Sequence, residues 1–198
     1  MSETTSKTRE ILIDAARQVF ARKGIERTTM NDIAVASKKG RRTLYMYFKN
    51  KEELSTIVIE NEMERLYKML EAIEKKNLPA DEKLMTFIYT RLDAFKDTVT
   101  RNGSLRAIFF HDSWNVAKVR KGYNLLEIML IKKILNSGIK DGTFAIPDVE
   151  TSALIIHYSL KGIEVPYIRG LLGDSPDRTM LRKNSVMNLI FNGINIKK

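Results

Sequence analysis

The chain has 198 residues, 43% of them hydrophobic and 29% charged, enough for one ordinary domain or for a small head joined to a larger body. Its formal net charge of +10 points to a polyanionic partner, either nucleic acid or an anionic membrane surface. The absence of cysteine excludes disulfides, thiolate nucleophiles and cysteine-ligated zinc, and the polar start MSETTSKTRE with no apolar run near the roughly 20 residues of a bilayer span places the protein in the cytoplasm by expectation.

Residues 1–6 form a Ser/Thr-rich tail, expected to be mobile. Ile11, Leu12, Ala15, Ala16, Val19 and Phe20 then recur at helical spacing, and Gly24 suits the position just past a helix end. Thr29-Met30-Asn31-Asp32 has the form of a capping box and opens a short second helix with Met30, Ile33 and Ala34 on its apolar face. Ser37-Lys38-Lys39-Gly40 reads as a tight turn, and a third helix is predicted over 41–48. Asn50 caps a fourth, with Glu53 at its third position and an apolar seam of Ile59, Met63, Leu66, Leu70 and Ile73 that Asn77-Leu78-Pro79 breaks.

Leu84, Ile88, Leu92, Phe95 and Val99 define the next helix, which Asn102-Gly103 ends. A shorter one is predicted over 105–114 and another over 118–136, the latter stopped by Gly138. Pro147-Asp148 starts a helix carrying Val149, Ala153, Ile156, Leu160 and Ile163, and Ser175-Pro176 starts a last one with Met180, Met187, Ile190, Phe191 and Ile194. No alternating strand pattern competes, so the expected fold is all-α with about nine helices.

The stretch from Ile25 to Leu54 carries the functional signal. It is a short capped helix, a polar turn and a short basic helix, with Lys38, Lys39, Arg41, Arg42, Lys49 and Lys51 around the turn and no acidic residue between Asp32 and Glu52. Cations and hydroxyls at the start of such a helix suit the major groove, where Arg donates two hydrogen bonds to guanine and Thr meets a thymine methyl, while Tyr hydroxyls reach phosphate. The start of the fourth helix offers amide groups and a positive dipole end for another phosphate.

Thr29, Asp32-Ile33-Ala34, Thr43-Leu44-Tyr45, Tyr47-Phe48 and Lys51-Glu52-Glu53-Leu54, preceded by Ala15-Ala16, Phe20 and Gly24, together resemble the N-terminal domain of the TetR/AcrR family over about the first 55 residues. The resemblance implies a helix-turn-helix DNA-binding domain at 1–50 and an effector-binding and dimerisation domain at 51–198. It implies that 41–48 is the recognition helix, that Thr29, Tyr47 and Lys51 touch backbone phosphate, and that Lys39, Gly40, Arg41, Arg42, Thr43 and Tyr45 occupy turn and groove-facing positions. Arg42 and Tyr45 are the candidates for base edges, with Arg41 and Lys38 adding charge, whereas Leu44 and Phe48 are assigned to the core. Three positions depart from the family pattern: Lys38 stands where Gly is common, Lys39 where a small apolar residue is common, and Gly40 where Ser often caps the recognition helix. A Lys held in a left-handed turn costs about 1 kcal/mol relative to Gly.

By the same resemblance the body binds a small molecule and holds a homodimer through its two closing helices, here 149–169 and 176–194, although their apolar stripes could equally pack internally. A dimer reading a palindromic operator is also what short recognition helices need for useful specificity. Phe87, Phe110, Trp114, Tyr123, Met129, His157 and Tyr158 are candidates for an effector pocket that would favour an apolar or aromatic compound, and each could instead be ordinary core. Effector binding would release DNA by favouring a body conformation that misaligns the two heads.

Three other functions compete with a repressor. His111-Asp112 is the kind of dipeptide that holds metal in phosphohydrolases, but only one further histidine, His157, exists to complete a site, so no enzyme, metal or cofactor is expected. An architectural DNA-binding protein without effector fits the basicity of the whole chain, and a membrane-surface protein would need a broad free apolar face on the basic helix.

Overall fold

The computed structural model describes residues 3–101 and 114–171. Among the described residues there are seven helices and no strand: α1 Glu3–Lys23, α2 Met30–Ala36, α3 Arg41–Tyr47, α4 Lys51–Glu74, α5 Ala80–Arg101, α6 Trp114–Lys140 and α7 Val149–Ile168. The helices expected over 105–114 (apart from Trp114, which opens α6) and 176–194 lie outside the described residues, as do Phe110, His111 and Asp112. No described helix is long and apolar enough to cross a membrane.

Two compact units are present, one built from residues 3–64, 97–101 and 114–121, the other from residues 65–96 and 122–171. In the first unit, Leu12, Ala16, Val19 and Phe20 of α1 are buried with Ile33 and Ala34 of α2, Leu44 of α3, and Leu54, Val58 and Ile59 of α4. Residues 3–6 of the expected tail form the first turn of α1, since no Gly or Pro in residues 3–23 interrupts a helix before Gly24. Gly24 ends it at φ +79°, the left-handed conformation expected there. Ile11 is exposed and Ile13 is buried, while the rest of the expected stripe, Leu12, Ala15, Ala16, Val19 and Phe20, lies in the core. Arg17 Nε lies 2.9 Å from Glu62 Oε1, a charge pair between α1 and α4 that is not aligned as a hydrogen bond.

In the second unit one apolar cluster joins Leu70 and Ile73 of α4, Leu84, Phe87, Ile88 and Leu92 of α5, Ile131, Ile134 and Leu135 of α6, and Ala153, Ile156 and Leu160 of α7. Phe144, from the turn after α6, closes it. Helix α6 runs through Gly138 to Lys140 rather than stopping there. Gly138 serves packing: a Cβ at this position would stand 2.1 Å from the Phe144 ring and 2.9 Å from the Ala80 methyl. Asp148 caps α7 by accepting from Thr151 N at 3.1 Å, as Pro147-Asp148 led one to expect.

Candidate nucleic-acid interface

Local chemistry builds the helix-turn-helix. Thr29 Oγ1 accepts from Asp32 N at 3.1 Å while Thr29 N donates to Asp32 Oδ2 at 2.9 Å, so the capping box read from the sequence is formed. Lys23 Nζ, 2.7 Å from Asp32 Oδ1, and the Thr29 backbone and hydroxyl hold the Asp32 carboxyl down at about 2. One group thus fixes the start of α2 and ties it to the end of α1. Helix α2 ends in a Schellman motif: Lys39 N donates to Ala34 O at 3.2 Å and Lys38 N to Val35 O at 3.1 Å. Lys38 takes the left-handed position of that motif, at φ +53°, where Gly is the unstrained choice. Gly40 is the N-cap of α3 in an extended conformation and has no side chain to cap with.

Helix α3 is two-faced. Leu44 is fully buried and Phe48, its C-cap, is 1% exposed, with the guanidinium of Arg9 over the Phe48 ring at 5.6 Å. On the other side Arg41 and Arg42 are exposed, Tyr45 is 47% exposed and Met46 76% exposed, so nothing among the described residues shields these four. Arg42, Tyr45 and Met46 stand at i, i+3 and i+4 and share one face. Met46 was passed over by the sequence reading, which stopped at polar residues; its place on the Arg42 face is the signal that finds it. Lys38 is exposed, Lys39, Thr43 and Tyr47 are half-buried, and Thr29 is exposed with its hydroxyl bonded to Asp32. Lys51 is half-buried and donates from Nζ to the Glu26 carbonyl at 3.2 Å, leaving two of its three donor positions.

The start of α4 is less open than expected. Asn50 Oδ1 accepts from Glu53 N at 2.8 Å, and Glu53 Oε2 accepts from Lys49 N at 2.7 Å. With Glu52 and Glu53 also in its first turn, this end already has its own anions.

In the second unit the candidate pocket residues fall into two groups. Phe87 and His157 are fully buried and Tyr123 is half-buried, whereas Met129 and Tyr158 are 54% and 60% exposed. Phe110 and the Trp114 side chain are outside the described residues. His157 belongs to a buried polar quartet that the sequence reading missed. Arg91 of α5 donates from Nε to Glu127 of α6 at 2.6 Å and from Nη2 to Glu164 of α7 at 2.5 Å, and His157 Nδ1 is 2.9 Å from the same Glu127 oxygen. Burial pushes the Glu127 carboxyl up, but the Arg91 charge and His157 outweigh it and hold it below the usual carboxylate range. The partners are 36, 73 and 30 residues apart, so no local pattern announces them. No group of three or more potential metal ligands occurs among the described residues.

A three-helix unit that buries one side of α3 and leaves a cationic side bare is a helix-turn-helix DNA-binding unit, here joined to an all-helical body. Residues 12–55 match the family model of bacterial regulatory proteins, tetR family. Over 191 residues, 94% of this chain and 95% of the relative, the chain is 25% identical to the fatty acid metabolism regulator protein of Bacillus subtilis. A transcriptional regulator from Cytophaga hutchinsonii shares its fold with a TM-score of 0.74 and 26% identity, over 94% of this chain and 97% of that one. The Bacillus subtilis regulator FadR, solved in complex with stearoyl-CoA, has the same fold at a TM-score of 0.69 and 22% identity, covering 94% of this chain and 99% of its own. Residues 12–55 are thus a DNA-binding segment of the tetR type, and the chain as a whole has the fold of bacterial transcription regulators.

Proposed function

We propose that this regulator is a repressor: a homodimer that holds a palindromic operator through residues 1–50 and lets go when residues 51–198 take up a small molecule. The observation that carries this reading is the bare face of α3, with Arg41, Arg42, Tyr45 and Met46 exposed opposite the buried Leu44 and Phe48. Arg42 and Tyr45 read base edges, Met46 packs on them, and Arg41 and Lys38 add attraction to phosphate. Thr29, Tyr47 and Lys51 steady the backbone, with Lys39, Gly40 and Thr43 shaping the turn. Thr29 contributes through its backbone end of α2 more than through its hydroxyl, which Asp32 already occupies.

The effector we propose is a long-chain acyl thioester. This rests on the relative that regulates fatty acid metabolism and on the apolar cluster around Phe87, and it narrows the apolar-or-aromatic expectation. Tyr123 and His157 remain pocket candidates, and Phe110 and Trp114 stay candidates on sequence grounds. Met129 and Tyr158, together with the exposed Leu154 and Ile155, suit contact between subunits better than a pocket.

Selection of bound fragments from genomic DNA, repeated at raised salt, tests the reading. A discrete palindromic site that palmitoyl-CoA releases is the expected result. Coating of DNA without a preferred site would favour an architectural protein instead.

A further inference from the structure

Arg91 is 1% exposed and His157 fully buried, yet Arg91 Nη1 and His157 Nε2 form no hydrogen bond among the described residues. Buried polar nitrogens are almost always paired, and an exception calls for a role. Here the two exceptions are neighbours, since Arg91 Nε and His157 Nδ1 both meet Glu127 Oε1, at 2.6 and 2.9 Å. The Phe95 ring lies 5.1 Å from the guanidinium carbon, and the apolar cluster containing Phe87, Ile131 and Leu160 belongs to the same three helices.

We propose that Arg91 is the polar end of the effector site, oriented by Glu127, Glu164 and His157, and that its Nη1 takes an uncharged acyl carbonyl, a thioester in preference to a free carboxylate. This rests on the effector reading above and makes its chemistry specific. Arg91 Nη1 can only donate, so its counterpart must be an acceptor. The charge of the site then selects the acceptor. One guanidinium already faces two carboxylates, Glu127 and Glu164, at 2.6 and 2.5 Å. A further anion would enter beside two others in a desolvated place, whereas a carbonyl oxygen adds no charge and completes the Arg91 donors. Because the quartet joins α5, α6 and α7 and is no more than 6% exposed, a ligand that reaches it must part these helices. Uptake and rearrangement of the unit are then one event, which is what a released repressor requires.

The test uses the full chain and three probes: palmitoyl-CoA, its S-hexadecyl thioether lacking the carbonyl, and palmitate, each titrated by calorimetry. The wild type is expected to bind the thioester about tenfold or more tightly than the thioether, as one charge-assisted hydrogen bond allows, and more tightly than palmitate. Arg91→Lys keeps the charge but removes Nη1, and His157→Asn, which keeps a donor for Glu127, leaves Nη1 in place. In Arg91→Lys the thioester preference should fall to within about threefold, with thioether affinity little changed, and in His157→Asn it should persist. Should Arg91→Lys fail to fold, by circular dichroism, the wild-type comparison of thioester with thioether decides. An unchanged preference in folded Arg91→Lys, or equal binding of thioester and thioether by the wild type, overturns the carbonyl assignment while sparing the effector reading. Failure of the wild type to bind any of the three overturns both.

Discussion

Gly138→Ala tests the packing of the second unit with a single methyl group. Gly138 lies inside α6, where alanine would ordinarily improve helix propensity by about 1 kcal/mol. The added Cβ would stand 2.1 Å from Phe144 Cδ2, 2.5 Å from Cε2 and 2.9 Å from Ala80 Cβ, all far inside van der Waals contact. The Phe144 backbone is pinned to the same turn, its N–H donating to Gly138 O at 2.9 Å, so the ring cannot retreat with its chain. Phe144 must swing out of a site where it is 3% exposed, and overpacking or loss of such burial costs about 2–3 kcal/mol. The net loss is therefore about 1–2 kcal/mol, a fall in Tm of about 3–6 °C for a chain of this size. Thermal unfolding by circular dichroism reads it. Gly122→Ala, in the same helix with nothing within 4 Å of its Cβ, is the control and should gain about 0.5–1 kcal/mol. A Gly138→Ala protein as stable as the wild type would refute the close approach.

Other expectations follow from the charged groups. Arg91→Met leaves Glu127 and Glu164 buried without their cation, and urea unfolding should show a loss of about 3–5 kcal/mol, whereas a triple change with Glu127→Gln and Glu164→Gln should recover part of it. Lys38→Gly relieves a side chain held at φ +53°, so the protein should be more stable by about 0.5–1 kcal/mol; if Lys38 also meets phosphate, the slope of log affinity for DNA against log salt should shrink by about one. The Asp32 carboxyl, depressed from 3.8 to about 2, stabilises the fold above its unfolded pKa and ceases to do so as pH falls through the folded value. Unfolding followed between pH 5 and 2 should therefore weaken over that window, and Asp32→Asn should flatten the dependence; equal slopes in the two proteins would contradict it.

What the sequence made legible was local. The capping box of Thr29 and Asp32, the Asn50 cap, the Gly24 terminator and the 3.6-residue stripes depend on residues within a turn of one another, and each is present. Glycine shows where that stops. Gly24 and Gly138 look alike as helix stops, yet one sits at φ +79° and the other is an interior residue emptied of its side chain for Phe144 and Ala80. The polar quartet was illegible for the same reason, because Arg91, Glu127 and Glu164 occupy positions on amphipathic helices where a charge ordinarily faces water. In the head, side-chain chemistry proposes Arg42 and Tyr45 for the groove, and the exposed face of the helix adds Met46 to that proposal.

The most direct measurement is operator binding by the Arg42→Ala, Tyr45→Ala double variant, with circular dichroism and sedimentation run alongside. Binding should drop to the level seen with random DNA while helicity and subunit state match the wild type. A double variant that keeps its preference for the operator would contradict the claim that α3 reads the sequence.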